Sequence, residues 1–329
     1  MMKKAFVTSL LALLLTGAMR AAEPLRFGTD GKFKIVQFTD IHFKPGDGRS
    51  DTALVRIDEV MRAERPDLVL LTGDIIYAKP AEKALRTVLD RVAAHGVPFG
   101  ILFGNHDDEQ GLSRAELLRI AQTYPLNRST TAPGVHGYCN YTLPLLAHEG
   151  ADTLAMVYCF DSNAYSQIKG IGGYDYIRSD QVEWYRRTSR ATTAAHDGKP
   201  VPAYAFFHIP LPEYHEAVAD ENATFIGTRM ERACAPALNS GLFTAMKECG
   251  DVRAMFVGHD HDNDYATLWR GILLAYGRYT GGNTVYNHLE NGARIIELRT
   301  DGQRFDTWIR LGGGRVINRV TCPDSFLRK

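Results

Sequence analysis

The chain has 329 residues, of which 45% are hydrophobic, 10% aromatic and 23% charged. That composition excludes a disordered chain, and the length fits one large domain or two ordinary ones. Thirty-eight basic residues balance thirty-eight acidic ones for a formal net charge of +0, which excludes a strongly basic nucleic-acid binder and an acidic solvating tail.

Residues 1–22 read as a signal peptide. Lys3 and Lys4 give a basic start, and Ala5 to Leu15 is mostly apolar. Thr16-Gly17-Ala18 or Met19-Arg20-Ala21 then offers small residues for cleavage near 18–22. The apolar run is too short to span a bilayer, and no cysteine follows it to carry a lipid anchor. The expectation is export, to the periplasm or outside the cell, with residues 23–329 forming one domain and no stable membrane anchor.

Beyond the leader, strand-like and helix-like segments alternate. Phe33 to Phe38 reads as a strand, and Asp51 to Arg62 carries Leu54, Ile57, Val60 and Met61 at helical spacing. Leu68 to Leu71 is a short, continuously apolar run, the pattern of a strand buried on both faces. Ala81 to Ala94 is a helix, Phe99 to Phe103 a strand, and Ser113 with Glu116 a capping box opening a helix to Tyr124. Tyr141 to Leu145 and Leu154 to Phe160 are strands, and Ser179 caps a helix to Arg190. Tyr204 to Phe207, Ala254 to Val257, Arg294 to Leu298 and Thr307 to Leu311 are further strands, with a helix over Ser240 to Glu248. The alternation predicts a layered α/β domain with strands in two sheets.

Of the five cysteines, none forms a CxxC, so a thiolate zinc site has no support. Cys139 and Cys159 flank the turn at Glu149-Gly150 almost symmetrically. That placement suggests a cross-strand disulfide, with two buried free thiols as the alternative.

Chemistry-bearing residues collect after five of the strands. Phe38 is followed by Thr39-Asp40-Ile41-His42, Leu71 by Thr72-Gly73-Asp74, and Phe103 by Gly104-Asn105-His106-Asp107. Phe207 is followed by His208, and Val257 by Gly258-His259-Asp260-His261. Ligands of α/β sheets bind outside the carboxyl ends of strands. Residues two apart on an extended segment face the same way, so Asp40 pairs with His42 and His259 with His261. A lone histidine is ordinarily a hydrogen-bonded core residue, but five of the eleven sit in these motifs. Imidazole and carboxylate suit zinc, manganese and iron. Seven such ligands exceed one tetrahedral ion and suit two ions sharing a carboxylate, roughly 3.5–4 Å apart.

This set, five motifs in order between Lys32 and Asp264, resembles the calcineurin-like metallophosphoesterase superfamily. His208-Ile209-Pro210-Leu211-Pro212-Glu213 and Gly258 to Asp264 are similar to its single-domain, purple-acid-phosphatase-like branch. The resemblance implies a four-layer αββα sandwich, two mixed β-sheets flanked by helices, and two divalent or trivalent metal ions (Mn, Fe or Zn). It implies Asp40, His42, Asp74 and His261 around the first ion and Asp74, Asn105, His208 and His259 around the second. His106 would face the leaving group as general acid. Authentic purple acid phosphatases carry an iron-binding tyrosine three residues after the bridging aspartate, where this chain has Tyr77, but they lack a histidine in the first motif. The presence of His42 therefore favours His42 as ligand and Tyr77 as a packing residue.

The activity so implied is hydrolysis of phosphate monoesters by metal-activated water. A phosphodiesterase acting on nucleotides or glycerophosphodiesters would use the same ligands. His215 and Arg278 are candidates for an extra substrate-binding cation. The expected partner is a small phosphorylated substrate, since no basic stripe with interleaved aromatics suggests nucleic acid. A non-catalytic metal- or phosphate-binding protein would have no need of His106.

Overall fold

A computed structural model describes residues 23–327, and the signal peptide read at residues 1–22 lies outside them. In chain order the strands are β1 (Leu25–Arg26), β2 (Lys32–Phe38), β3 (Leu68–Thr72), β4 (Phe99–Leu102), β5 (Tyr141–Leu146), β6 (Thr153–Cys159), β7 (Ala203–Phe206), β8 (Phe225–Ile226), β9 (Val252–Val257), β10 (Ala266–Trp269), β11 (Ile272–Tyr276), β12 (Gly292–Arg299), β13 (Phe305–Leu311) and β14 (Val316–Cys322). The helices are α1 (Gly48–Glu64), α2 (Ala81–Ala93), α3 (Arg114–Ala121), α4 (Ser179–Ala195), α5 (Glu213–Ala219) and α6 (Leu242–Cys249).

The strands form two mixed sheets. One has eight strands in the order β1-β5-β6-β7-β9-β11-β10-β8, the other six in the order β14-β13-β12-β2-β3-β4. Pairing is parallel through β2-β3-β4, through β6-β7-β9-β11 and between β1 and β5, and antiparallel in the remaining pairs. Side-chain alternation sorts the larger sheet's residues into two cores. Val157, Phe206, Phe256 and Ala275 join the core shared with the smaller sheet and with α1, α2 and α3. Tyr158, Ala205, Met255 and Leu274 face a second core against α4, α5 and α6. The layers are therefore helix, sheet, sheet, helix.

Local chemistry sets the element ends. Asp47 accepts from the Arg49 backbone N–H at the start of α1, and Ser113 with Glu116 forms the expected capping box on α3. That helix stops at Ala121, short of Tyr124. Helix α4 is entered one residue earlier than its Ser179 suggested: Gln181 Oε1 accepts from Arg178 N at 2.8 Å, and the helix continues to Ala195. Among the described residues no helix is long and apolar enough to cross a membrane.

The suggested Cys139–Cys159 disulfide is not formed, and both thiols are free and buried. In the β5–β6 ladder Cys159 stands opposite Tyr141, two residues beyond Cys139. Cys139 falls outside the strand with φ of 65°, where the backbone turns away from the ladder.

Two buried polar side chains join the sheets beneath the parallel strand ends. Gln37 Nε2, on β2, donates to Thr72 Oγ1 at 2.9 Å and across to the Val257 carbonyl of β9 at 3.0 Å. Arg294, on β12 and fully buried, donates to the carbonyls of Tyr276 and Asp264 and to Thr307 Oγ1. Replacing it with an apolar side chain strands these acceptors, at about 1–3 kcal/mol for each buried group. Arg294→Met is expected to lower unfolding stability by at least about 2 kcal/mol in urea titration; a loss under about 0.5 kcal/mol would remove Arg294 from the inter-sheet tie.

Candidate metal centre

The carboxyl ends of five parallel strands meet at one place. From the six-stranded sheet, β2 delivers Asp40 and His42, β3 delivers Asp74, and β4 delivers Asn105 and His106. From the eight-stranded sheet, β7 delivers His208 and β9 delivers His259 and His261. Asp40, His42, Asp74, Asn105 and His208 are at most 1% exposed, and His259 and His261 at most 7%. This burial removes water as a routine partner for their polar atoms.

The backbone is bent to bring them in. Asp40, His42, Asp74 and His259 all have positive φ, at 54°, 46°, 49° and 79°. Such conformations cost non-glycine residues of order 1 kcal/mol or more and concentrate at functional sites. Gly73 precedes Asp74 at φ of +92°, and a Cβ there would lie 2.5 Å from the His208 ring. At Gly104 the constraint is approach, since a Cβ would lie 2.1 Å from Asp74 Oδ1.

The ligand atoms fall into two groups that share Asp74. Asp40, His42, Asp74 and His261 offer atoms all within 4.8 Å of one another, as do Asp74, His208 and His259. Hydrogen bonds on the far side of the imidazoles fix their tautomers. His208 Nδ1 lies 2.9 Å from the Thr72 carbonyl and His261 Nδ1 lies 2.7 Å from the Tyr286 carbonyl. A carbonyl only accepts, so Nδ1 carries the proton in both, and Nε2 is the inward nitrogen. Asn105 Nδ2 donates to Tyr165 Oη at 3.1 Å, which leaves its Oδ1 toward the site. Both ring nitrogens of His42, Asn105 Oδ1 and His208 Nε2 are buried and make no well-aligned hydrogen bond, although the Nε2 atoms of His42 and His208 stand 3.2 and 3.3 Å from Asp74 Oδ2. Unpartnered buried groups are rare and costly, so this concentration of unmet nitrogen and oxygen atoms fits a site built to hold cations, and the donor set suits Mn, Fe or Zn.

The charges already lean on one another. Burial disfavours a charged His208, yet Asp74 and then Asp40 outweigh it and raise its pKa to about 9. Burial likewise works against ionised Asp74, but His208 and His42 hold its carboxyl well below the usual range. His261 goes the other way, pulled down to about 4 by burial despite Asp40.

Asp107, quoted in the third motif but given no task by sequence reasoning, pins these loops together. Its buried carboxylate accepts from the backbone N–H groups of Gly104 (2.8 Å), Asp74 (3.0 Å), Ile75 (2.8 Å) and Ile76 (3.1 Å). The Asp74 backbone position is thereby fixed by a side chain of the neighbouring loop. Asp74 Oδ1 in turn accepts from His106 N at 2.9 Å, and the Asp40 carboxylate from His259 N at 3.1 Å.

His106 sits at the rim, its ring 5.8 Å from that of His42. Its Nδ1 lies 2.7 Å from Glu109 Oε2, and Glu109 Oε1 accepts from Tyr165 Oη at 3.1 Å. Sequence reasoning missed both partners; Glu109, three residues after His106 on a 3₁₀ turn (Asp107–Gln110), carried the spacing that identifies it, whereas Tyr165 is a tertiary contact without a local signal. Tyr77 packs edge-on against His42 and His106, at 5.4 and 4.8 Å between ring centroids. His215 stands apart from the ligand groups on the wall of a neighbouring cleft. Arg278 is not an open cation: its buried guanidinium is ion-paired to Asp264 and donates to the Glu290 carbonyl. Its expected substrate role is therefore withdrawn, because the cation is neutralised inside the protein.

The calcineurin-like phosphoesterase family model matches residues 33–263, a span holding all eight of these residues from Asp40 to His261. The chain belongs to this family. It is 32% identical to probable inactive purple acid phosphatase 29 of Arabidopsis thaliana, over 86% of this chain and 81% of that protein. It is 31% identical to phosphatase DCR2 of Saccharomyces cerevisiae, over 91% of this chain and 56% of the yeast protein. Among solved structures, a dimetal phosphatase from Danio rerio has the same fold, with a TM-score of 0.62 at 15% identity over 88% of this chain and 98% of that one.

Asp107→Asn would turn an amide donor toward backbone N–H groups that need acceptors. It is expected to cost about 2 kcal/mol or more in unfolding stability and to lower the metal retained after dialysis. Wild-type stability and retention together would show that Asp107 does not hold the site.

Proposed function

We propose that this chain is a dinuclear-metal phosphoesterase that hydrolyses phosphate monoesters. The observation that carries the reading is the Asp74 carboxylate shared by two buried ligand groups, with His106 hydrogen-bonded through its backbone to the same carboxylate. The phosphatase names among the relatives favour monoesters. Those names also include the word inactive, so the reading rests on the side chains present here.

Asp40, His42, Asp74 and His261 would hold one cation, and Asp74, Asn105, His208 and His259 the other. When bound, such a pair supplies an acidified water and neutralises phosphoryl oxygens as charge moves in line. The chain's own groups do the rest. Asp107 and the left-handed backbone keep Asp74 in place, and the Thr72 and Tyr286 carbonyls orient His208 and His261. Glu109 Oε2 accepts a hydrogen bond from His106 Nδ1–H, which leaves Nε2 as the nitrogen that gives a proton to the departing alkoxide. Tyr165 braces Glu109 from one side while holding the Asn105 amide, so the acid and a ligand share one support.

Poor leaving groups need the proton more than good ones. His106→Asn is therefore expected to slow alkyl phosphate hydrolysis by about 10²–10⁴-fold while sparing metal content. Glu109→Gln keeps the side-chain length but removes the charge. It is expected to lower kcat on alkyl phosphates several-fold more than on p-nitrophenyl phosphate, and equal losses on both would sink the positioning role. Assays on p-nitrophenyl phosphate and its bis-ester, with Mn²⁺, Zn²⁺ or Fe loaded, test the function itself. Turnover of the monoester supports the proposal, preference for the bis-ester moves it to a phosphodiesterase, and hydrolysis of neither by loaded protein makes it a binding protein.

The N-terminal pattern of residues 1–22 supports export as the location. A mature protein recovered from periplasm or medium should begin near residues 19–23 by intact mass, and an uncleaved chain would remove that part of the reading.

A further inference from the structure

A cleft of about 540 Å³ lies beside the metal centre, walled by Tyr174, Pro212, His215, Arg232 and Pro236. Two contacts make it continuous with the centre. The Tyr174 ring stands edge-on to His259, 4.3 Å between centroids. Cys234 N, on the opposite wall, donates to the Asp260 carboxylate between His259 and His261, at 3.1 Å. Tyr174 thus touches a proposed ligand directly, and Cys234 reaches the loop between two of them through Asp260.

The chemistry of the cleft is divided. Tyr174, the two prolines and the alanines at 233 and 235 offer a flat, apolar surface. The polar groups are different in kind. Arg232 is exposed and makes no ion pair among the described residues, even though Glu216 lines the same cleft. His215 has a buried Nδ1 without a hydrogen-bond partner. The buried arginines near the centre differ, with Arg278 ion-paired to Asp264 and Arg114 to Asp161. An uncommitted guanidinium next to an apolar wall fits a ligand with a planar body and an anionic end.

We propose that this cleft receives the organic part of the substrate, and that the substrate is an aryl-sized phosphate ester bearing a second anionic group bound by Arg232, with Tyr174 packing against its body. This rests on the phosphoesterase reading, because the phosphate itself is assigned to the metal centre. It narrows the substrate class from phosphate esters in general to those with two separated acidic groups. It also gives His215 the substrate role expected from the sequence, as a polar group in the cleft rather than a cation on the phosphate.

The test compares phenyl phosphate with 4-carboxyphenyl phosphate on metal-loaded protein. It also titrates the non-hydrolysable pair benzylphosphonate and 4-carboxybenzylphosphonate by calorimetry. A charge-assisted pair supports about a tenfold preference for the carboxylated member in kcat/KM and in Kd. Arg232→Gln should collapse that ratio to about one, and Arg232→Lys should restore part of it. Hydrolysis of both esters with equal kcat/KM in wild type and Arg232→Gln would overturn the cleft proposal and leave the phosphoesterase reading intact. Absence of turnover with a retained, Arg232-dependent preference for the carboxylated phosphonate would do the reverse.

Discussion

The structure depends on one buried carboxylate, Asp74, held where two sets of metal-type ligands overlap. Nothing in the chain neighbouring Asp74 fixes it alone. Its backbone lies in the left-handed region, which an aspartate adopts at a cost. The loop of Gly104 to Asp107 supplies the compensation through one side chain, whose carboxylate accepts from the backbone N–H groups of Asp74, Ile75 and Ile76. His106 N then donates back to Asp74 Oδ1. Two adjacent strand ends are thus locked by reciprocal side-chain-to-backbone bonds, and Asp74, Asn105 and His106 acquire one fixed relation.

That relation has to be met from the other sheet, since His208, His259 and His261 come from β7 and β9. Sheets that face each other across an apolar core are free to slide unless something sets their offset. Gln37 and Arg294 set it with directional bonds made in a dry interior, where an unmet acceptor is expensive. Arg278 belongs to the same inter-sheet support: with Asp264 it fixes the end of the loop that carries His259 and His261. The arginines buried near the centre are thus committed to the fold, and the proposed substrate would be met by bound metal and the cleft.

The legible parts of this protein were those whose meaning is local. Parallel strands buried on both faces show as apolar runs such as Leu68–Leu71, and the ligand pairs Asp40/His42 and His259/His261 show by their place just after such strands, although the backbone of Asp40, His42 and His259 is left-handed rather than extended as the two-residue spacing assumed. What escaped was decided by tertiary packing. Strand β11 is an apolar run of five residues, too short for periodicity to tell strand from helix. Tyr165 reaches Glu109 across 56 positions, and no spacing rule covers that. Arg278 presented the same letter whether it faced substrate or Asp264. The cysteine pair failed through register, because the β5–β6 ladder puts Tyr141 where the disulfide needed Cys139.

A neutral chain can bind an anion if the positive charge is local. In the proposed reading, cations held by the buried acidic ligands would supply that local charge. Anomalous diffraction from metal-replete crystals tests the claim most directly. The account predicts two peaks roughly 3.5–4 Å apart on either side of Asp74, one among Asp40, His42 and His261 and the other among Asn105, His208 and His259. A single peak, or metal bound away from Asp74, would contradict it.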